Sequence, residues 1–335
     1  MDVALPLPPP DPGRWRRRAV SVPLVLLLAA GSVTLLPALL PLALGVDGVR
    51  RRRMAVTRTL LMATFFLCVE AWGVATLAWG WLRWGRDPAG LVAHANRTQH
   101  LWCRALLGGL ERLFEFRYVI EGAEHLSPGP FLLFLNHTSS ADALLPIRLV
   151  AAPTGRRARY VLKQELAWDP CLDIAGHRLP NYFVRRGGGA AEIEAVQRLG
   201  EGLGPDDLVV VYPEGTRFTP RRRQRRIDEL RAQGKEAQAA QAEALQRTLL
   251  PRPGGPLGLL EHTPGVDVVF CAHQGFSGVR DMGSLLNGRL VGQTVRVRFT
   301  RVRAADIPPA GQARYDWLID QWKALDRWLG EVPAG

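Results

Sequence analysis

Two long apolar segments near the beginning of the chain constrain its structure more than any other feature. Residues 19–46 contain no charged side chain, and residues 59–82 contain only one, Glu70. A helix needs about 20 apolar residues to cross a bilayer, so each segment is long enough. The second segment and its border contain four tryptophans, Trp72, Trp79, Trp81 and Trp84. Because tryptophan prefers the headgroup boundary, the pattern predicts a membrane-anchoring helical pair over residues 19–86.

The basic residues around these segments predict how the pair is oriented. They lie before, between and after the two segments, at Arg16–Arg18, Arg50–Arg53, Arg83 and Arg86. Two complete crossings place the middle group on the translocated side, against the preference of basic residues for the cytoplasm. A kinked or re-entrant pair with every basic end on the cytoplasmic side fits better, and two complete crossings remain the alternative. We therefore expect a membrane protein whose remaining domain faces the cytoplasm.

The first segment favours a kinked helix over a cleaved signal peptide. Three prolines are expected to interrupt it, because proline removes a helical hydrogen bond; these are Pro23, Pro37 and Pro41. A signal peptide has a shorter apolar region, and here a second apolar segment follows. The signal-peptide interpretation is therefore disfavoured.

The charge of the chain indicates an anionic partner. Lysine and arginine number 43 against 31 aspartates and glutamates, which gives a formal charge of +12. Such an excess is typical of proteins that bind nucleic acid or the anionic surface of a bilayer. A nucleic-acid-binding protein has no use for the two apolar segments, so the predicted partners are membrane lipids and not nucleic acid.

The four cysteines predict neither a disulfide framework nor a metal site. They are far apart and form no CxxC pair, at Cys68, Cys103, Cys171 and Cys271. Such spacing is typical of reduced, buried thiols. No metal or other cofactor is expected.

The remaining sequence predicts an α/β domain with a mixed sheet flanked by helices. Residues 1–18 are expected to form a disordered basic N-terminus, and the domain is expected to span residues 91–335. Seven apolar runs are typical of strands, and polar or helical stretches separate most of them. The runs are FEFRYVIEG, PFLLFLN, RYVLK, NYFVRR, DLVVVYPEG, VDVVFCAH and TVRVRFTRV. Residues 221–247 are charged and rich in alanine and glutamine, which predicts an exposed helical insertion.

The stretch FLLFLNHTSSADALLP, residues 131–146, supports two interpretations. In the first, Ser139 caps a helix, Asp142 completes a capping box, and His137 is an ordinary turn residue. In the second, His137 lies at the carboxyl end of a strand, where α/β sheets place their ligands. Asp142 then orients the imidazole so that it can remove a proton from an alcohol. The residues alone leave both interpretations open.

Two other strand ends carry groups suited to an anionic ligand. In DLVVVYPEGTRFTP, Gly215 permits a tight turn, and Thr216 and Arg217 are donors suited to a phosphate. The alternative is a surface ion pair between Glu214 and Arg217. In NYFVRRGG the strand ends in Arg185 and Arg186, which either bind acidic groups of a substrate or are solvated.

Together, NHTSSAD, YFVRRGG and YPEGTRF resemble the ordered motifs of the glycerophospholipid acyltransferase family, particularly the lysophosphatidic acid acyltransferases. The later LLPR sequence, with Pro251 and Arg252, is similar to a block of the branch with a long insert. The resemblance covers roughly residues 91–275. It implies that His137 is the catalytic base and Asp142 its orienting partner. It also implies acceptor binding by Glu214, Gly215, Thr216 and Arg217, assisted by Arg185 and Arg186.

The resemblance implies transfer of a fatty acyl group from an acyl thioester to the free hydroxyl of 1-acylglycerol-3-phosphate, giving phosphatidic acid. The donor partner is acyl-CoA or acyl-carrier protein, and the acceptor is a lysophospholipid. The sequence does not identify the oxyanion donors, and a backbone N–H near the helix start at residues 139–141 is one candidate. Another lysophospholipid or glycerol-3-phosphate is the alternative acceptor. A non-catalytic membrane lipid-binding protein is the alternative of a different class.

Overall fold

The computed structural model describes residues 11–139, 141–184, 190–276, 279 and 282–331, and within them a central seven-stranded sheet lies between layers of helices. The strands are β1 (Arg117–Glu121), β2 (Phe131–Leu135), β3 (Arg157–Lys163), β4 (Tyr182–Val184), β5 (Asp207–Val211), β6 (Asp267–Gln274) and β7 (Thr294–Val302). The α-helices are α1 (Arg14–Arg50), α2 (Ala55–Trp84), α3 (Pro88–Phe114), α4 (Ala152–Thr154), α5 (Pro170–Gly176), α6 (Ala190–Arg198), α7 (Pro220–Ala232), α8 (Glu236–Ala244), α9 (Gly254–His262) and α10 (Gln312–Glu331). Each of the seven predicted runs overlaps one strand.

The sheet is mixed, as predicted. Its strand order is β1-β7-β6-β2-β5-β3-β4, and every neighbouring pair is parallel except β6 and β7. The two central strands, β2 and β5, are buried along their whole length. A parallel strand covered on both faces is expected to be a continuous apolar run, and FLLFL and the LVVV of β5 have that composition.

Alternate side chains of β2 enter separate cores on the two faces of the sheet. Leu133 and Leu135 belong to one core, together with Trp102 of α3. Leu132 and Phe134 belong to the other core, which includes Trp322 of α10 and residues of α7, α8 and α9. Because successive strand side chains point to opposite faces, one apolar pentapeptide holds three layers together.

The two apolar segments form the long helices α1 and α2, each long and apolar enough to cross a membrane. Only a small part of α1 is buried, whereas α2 packs against α3 of the α/β domain. The predicted interruption of the first helix is wrong, because α1 continues through its three prolines: Pro23, Pro37 and Pro41. A helix tolerates proline at the cost of one backbone hydrogen bond at each position.

Disorder predicted through residue 18 is wrong for residues 14–18, which form the first part of α1. Tertiary ion pairs hold this helix end on the domain. Arg17 Nη2 lies 2.6 Å and Arg18 Nε 2.7 Å from the two carboxylate oxygens of Asp173 on α5. The predicted boundary missed this contact because the partner lies more than 150 residues away in the sequence.

The turn between α1 and α2 is held on the same domain. The carboxylate of Asp47 accepts hydrogen bonds from the backbone N–H groups of Val56 and Thr57, at 3.0 and 2.8 Å. Arg53 Nη1 donates to the carbonyl oxygen of Val291, at 2.9 Å. The start of α1 and the turn that follows its last residue therefore both contact the α/β domain, although a helix of this length extends about 55 Å.

The charged insertion predicted over residues 221–247 is a pair of short helices, α7 and α8. Their charged residues face solvent, while a few apolar side chains join the second core. These buried side chains are Ile227, Leu230, Ala239 and Ala242. The sparse apolar spacing is sufficient because each helix buries only a narrow face.

Candidate active site

The candidate active site lies at the carboxyl end of β2, where His137 and Asp142 meet. His137 Nδ1 is 3.2 Å from Asp142 Oδ2. The imidazole is 19% exposed, whereas the Asp142 side chain is fully buried. With Nδ1 donating to the carboxylate, the lone pair of Nε2 is available to a ligand. This arrangement is the one that orients a general base.

The chain after His137 forms a short 3₁₀-helix, Ala141–Leu144, and Asp142 caps it as well as contacting the imidazole. Its Oδ2 accepts hydrogen bonds from the backbone N–H groups of Thr138 and Ser139, at 2.5 and 2.7 Å. The capping interpretation and the catalytic interpretation therefore describe the same carboxylate. These two hydrogen bonds hold the Asp142 carboxylate in the position from which it contacts the His137 ring.

The predicted oxyanion donors at residues 139–141 are contradicted at two positions. The backbone N–H of Ser139 donates to Asp142, and that of Ala141 donates to Ser139 Oγ at 3.1 Å. Position 140 lies outside the described residues. Capping of this short helix uses the donors that the prediction assigned to a substrate.

A second histidine, His273 of β6, lies next to Asp142. The sequence analysis did not identify it as a site residue. It is completely buried, with Nε2 2.8 Å from the carbonyl oxygen of Asn136 and 3.7 Å from Asp142 Oδ2. The Asn136 amide exchanges two hydrogen bonds with the backbone of His273, at 2.9 and 3.0 Å. These contacts join β6 to the residue before His137. A histidine inside the otherwise apolar VVFCAH run was the signal that could have identified it.

Tyr212, the residue after β5, packs against the His137 ring. The ring centroids of Tyr212 and His137 are 4.6 Å apart, and the Tyr212 hydroxyl donates to the Asp142 carbonyl oxygen at 3.1 Å. Burial raises the pKa of Tyr212, with the nearby Asp142 adding to the rise. The phenol therefore stays protonated and remains a donor.

Glu214 is placed differently from its predicted role in acceptor binding. The residue is 1% exposed, and its two carboxyl oxygens accept from the backbone N–H groups of His137 and Leu249, at 2.9 and 2.8 Å. Burial raises the pKa of Glu214, and these two hydrogen bonds oppose part of the rise. Glu214 therefore links the backbone of the loop that carries His137 to the backbone at Leu249. The sequence could not reveal this role because both partners are distant backbone groups.

A tight turn follows Glu214, as predicted from Gly215. Gly215 has φ +67°, a conformation that favours glycine. The carbonyl oxygen of His137 accepts from Phe218 N at 2.6 Å, which joins the turn to the loop that carries His137. Thr216 and Arg217 are half-buried in this turn.

The side chains of Arg252 and Arg222 contact this turn. Neither residue was predicted to belong to the site. The Arg252 side chain covers Gly215, where an added Cβ would lie 3.1 Å from Arg252 Cδ. Arg222 Nη1 donates to the carbonyl oxygen of Arg217 at 2.9 Å. Thr216, Arg222 and Arg252 line a cavity of about 260 Å³. We refer to it as the turn cavity.

Arg185 and Arg186 lie outside the described residues, and their predicted role stays a prediction. The strand that precedes them, β4, is at the edge of the sheet, separated from β2 by β5 and β3. Within the described ranges there is no cluster of three His, Cys, Asp or Glu side chains suited to a metal ion. The four cysteines, all described, are free thiols.

Comparisons with known proteins find a matching family model and a similar fold. Residues 117–252 match the model of the family described as Acyltransferase. The fold is similar to the crystal structure of the 1-acyl-sn-glycerophosphate (LPA) acyltransferase PlsC from Thermotoga maritima, with a TM-score of 0.53. That match has 16% identity and covers 84% of this chain and 100% of the other. No curated protein sequence matches the chain. The predicted resemblance to the glycerophospholipid acyltransferases is confirmed.

Proposed function

Because residues 117–252 match the model of the Acyltransferase family, we propose that this protein is a membrane-bound O-acyltransferase of phospholipid biosynthesis. The reaction moves a fatty acyl group from an acyl thioester to the free hydroxyl of 1-acylglycerol-3-phosphate, giving phosphatidic acid. The observation that carries the proposal is the 3.2 Å contact between His137 Nδ1 and Asp142 Oδ2. The fold likeness to an LPA acyltransferase supports the choice of acceptor.

In this mechanism His137 is the general base and Asp142 orients it. Nε2 of His137 accepts the hydroxyl proton as the acceptor oxygen attacks the thioester carbonyl. Collapse of the tetrahedral intermediate breaks the C–S bond and leaves the new ester. The proton then passes from His137 to the departing thiolate of coenzyme A or carrier protein. This series of steps needs neither a covalent acyl-enzyme nor a metal ion.

The acceptor phosphate is bound at the turn cavity. Thr216, Arg222 and Arg252 line that cavity, and arginine suits a phosphate because its planar donors match the oxygen geometry. In this proposal Arg217, Arg185 and Arg186 assist in binding the acceptor. Glu214 contributes through the position of the His137 backbone rather than by contact with the acceptor.

The helical pair anchors the enzyme in one face of the bilayer without crossing it, with the domain in the cytoplasm. Ion pairs of Arg17 and Arg18 hold one end of α1 on the domain, and the hydrogen bond of Arg53 holds the other. A helix that crosses the bilayer completely has its two ends on opposite sides. Both substrates carry acyl chains, so an anchor at the interface raises their local concentration.

An acceptor panel tests this function. Purified protein in vesicles receives radiolabelled acyl-CoA with 1-acylglycerol-3-phosphate, lysophosphatidylcholine, lysophosphatidylethanolamine or glycerol-3-phosphate. Labelled phosphatidic acid from the first acceptor is the expected product, and Arg117→Ala, a change of an exposed side chain on β1, serves as the active control. A faster reaction with another acceptor reassigns the substrate. Vesicle binding without transfer to any acceptor supports the non-catalytic alternative and contradicts the proposal.

A further inference from the structure

A second cavity, larger than the turn cavity, adjoins the catalytic loop. Its volume is about 650 Å³, and it shares no lining residue with the turn cavity. Asn136 and Thr138, the neighbours of His137 in the chain, both line it, and so does His273. A ligand in this cavity therefore lies beside the proposed base. Its volume is within the usual range for pockets that bind small molecules and cofactors.

The charge of this cavity is its most distinctive property. Five arginines line it, and none of its lining residues is an aspartate or glutamate. The arginines are Arg51, Arg52, Arg53, Arg247 and Arg289. Arg53 uses one nitrogen on the Val291 carbonyl oxygen. The guanidinium groups of the other four make no hydrogen bond or ion pair to any described residue. We refer to this space as the arginine cavity.

Three of the five arginines come from the turn between α1 and α2, which is fixed in an uncommon conformation. Arg51 and Arg53 have φ angles of 51° and 50°, in the left-handed region that non-glycine residues seldom occupy. Gly288 packs against this turn, since an added Cβ there would lie 3.1 Å from the carbonyl oxygen of Arg52. The Asp47 carboxylate holds the other side of the turn. The arginines are therefore presented by a backbone fixed on the domain.

Grouped arginines without carboxylate partners repel one another, and a ligand with several phosphates relieves that repulsion. Guanidinium groups bind phosphate oxygens bidentately, and a concave basic wall concentrates an anionic ligand. The turn cavity is smaller and contains two carboxylates, Glu214 and Glu229, beside its arginines. The arginine cavity is thus the better match for a ligand that is larger and carries more negative charge.

We propose that the arginine cavity binds the phosphate groups of the coenzyme A portion of the acyl donor, leaving the turn cavity to the acceptor phosphate. The inference rests on the proposed function and names the donor class of that same site. The two substrates then approach His137 from separate basic cavities, and the thioester lies between them. The α1–α2 turn becomes part of the donor site as well as part of the membrane anchor.

Anionic lipid headgroups offer the same phosphate chemistry, so the test separates the two sources. We compare Arg51→Ala/Arg289→Ala with Arg112→Ala/Arg117→Ala. The second pair removes the same charge from exposed side chains of α3 and β1 that line neither cavity. Calorimetry measures the Kd of coenzyme A itself, without turnover. Initial rates give the KM of acyl-CoA and of the acceptor, and flotation with vesicles containing phosphatidylglycerol measures lipid binding.

The inference predicts that Arg51→Ala/Arg289→Ala raises the Kd of coenzyme A and the KM of acyl-CoA by about tenfold or more, since it removes hydrogen bonds between charged groups. The acceptor KM, vesicle binding and the control pair are expected to be unchanged. Arg51→Lys/Arg289→Lys, which keeps the charge, is expected to recover part of the affinity.

Three results overturn the inference: coenzyme A binding equal in the two Ala pairs, loss confined to vesicle binding, or transfer from acyl-carrier protein alone without coenzyme A binding. Because coenzyme A binding is measured without turnover, the inference survives if the Kd changes in a protein that acylates no acceptor. In that case only the proposed reaction fails.

Discussion

The loop after β2 and the turn after β5 each carry one buried carboxylate, and the two serve the same histidine in different ways. Asp142 contacts Nδ1 of the His137 ring, whereas Glu214 accepts from the His137 backbone N–H. Asp142 therefore sets the tautomer and direction of the ring, and Glu214 sets the position of the chain that carries it. Two acidic residues in neighbouring motifs need not share a role, and their contacts decide which one acts on the reacting groups.

The largest effect is expected from removing the ring that both carboxylates serve. His137→Ala eliminates the base, and we expect acyl transfer to fall by about 10⁴-fold, the upper range for general-base catalysis. Vesicle binding is expected to stay unchanged because His137 belongs to neither of the apolar helices α1 and α2. Labelled ester formation and flotation, measured on one preparation, check both expectations. Transfer at the rate of the unchanged protein would exclude His137 as the base.

Asp142→Asn tests the carboxylate that contacts the ring. The amide oxygen can still cap Thr138 and Ser139, but the side chain no longer stabilises the imidazolium or enforces the Nδ1 proton. We expect kcat to fall by about 10²–10³-fold while the KM of the acceptor changes little. Steady-state kinetics separate the two parameters. A rise in KM alone indicates a substrate-binding role for Asp142 and contradicts the assignment.

Glu214→Gln tests the carboxylate that contacts the backbone. Glutamine keeps one carbonyl oxygen, so either the His137 or the Leu249 N–H loses its acceptor. We expect a loss of about 1–3 kcal/mol in the free energy of unfolding, because a buried donor is left unsatisfied. Denaturant unfolding measures this loss, and kcat measured well below the transition is expected to fall less than in Asp142→Asn. A larger loss of kcat than in Asp142→Asn reverses the two roles.

The strands could be predicted because their signals are local, whereas the contacts of the site are not. An apolar run such as FLLFL indicates a buried strand by itself, and the five-residue spacing of His137 and Asp142 brings both into one loop. The contact of Glu214 with the His137 backbone spans 77 positions of the sequence, and the contact of His273 with Asn136 spans 137 positions. No window of sequence contains both partners of these contacts.

His273→Gln tests the buried histidine that lies next to Asp142. Glutamine keeps the backbone contacts to Asn136 but loses the imidazole contact near Asp142. We expect kcat to fall by about threefold to tenfold, within the range of one hydrogen bond, with the acceptor KM unchanged. Kinetics measured well below the unfolding transition separate the two parameters. An unchanged kcat together with a loss of Tm indicates that His273 is only a core residue.

Asp173 is another buried carboxylate, and it lies on α5 rather than in the loop after β2 or the turn after β5. Burial opposes its ionisation, but hydrogen bonds from His177, Arg18 and Arg17 outweigh burial and lower its pKa to about 2. Because the folded pKa is below the ordinary value of 3.8, the contribution of Asp173 to stability is complete above about pH 4. It is lost as the pH falls toward 2.

Asp173→Asn is accordingly expected to lower the Tm at pH 7 while leaving kcat unchanged, the smallest effect on activity in this series. The difference in Tm between the variant and the unchanged protein is expected to shrink between pH 4 and pH 2. Thermal unfolding followed at several pH values measures this difference. A Tm difference that stays constant across that range contradicts the assigned ion pairs.

A double-mutant comparison tests most directly whether His137 and Asp142 act as one catalytic unit. Rates of phosphatidic acid formation are measured for His137→Ala, Asp142→Asn and the combined variant in identical vesicles. Because Asp142 acts through the ring, the combined variant is expected to be no slower than His137→Ala alone. A combined loss equal to the product of the two separate losses would mean that the residues act independently, which contradicts the account.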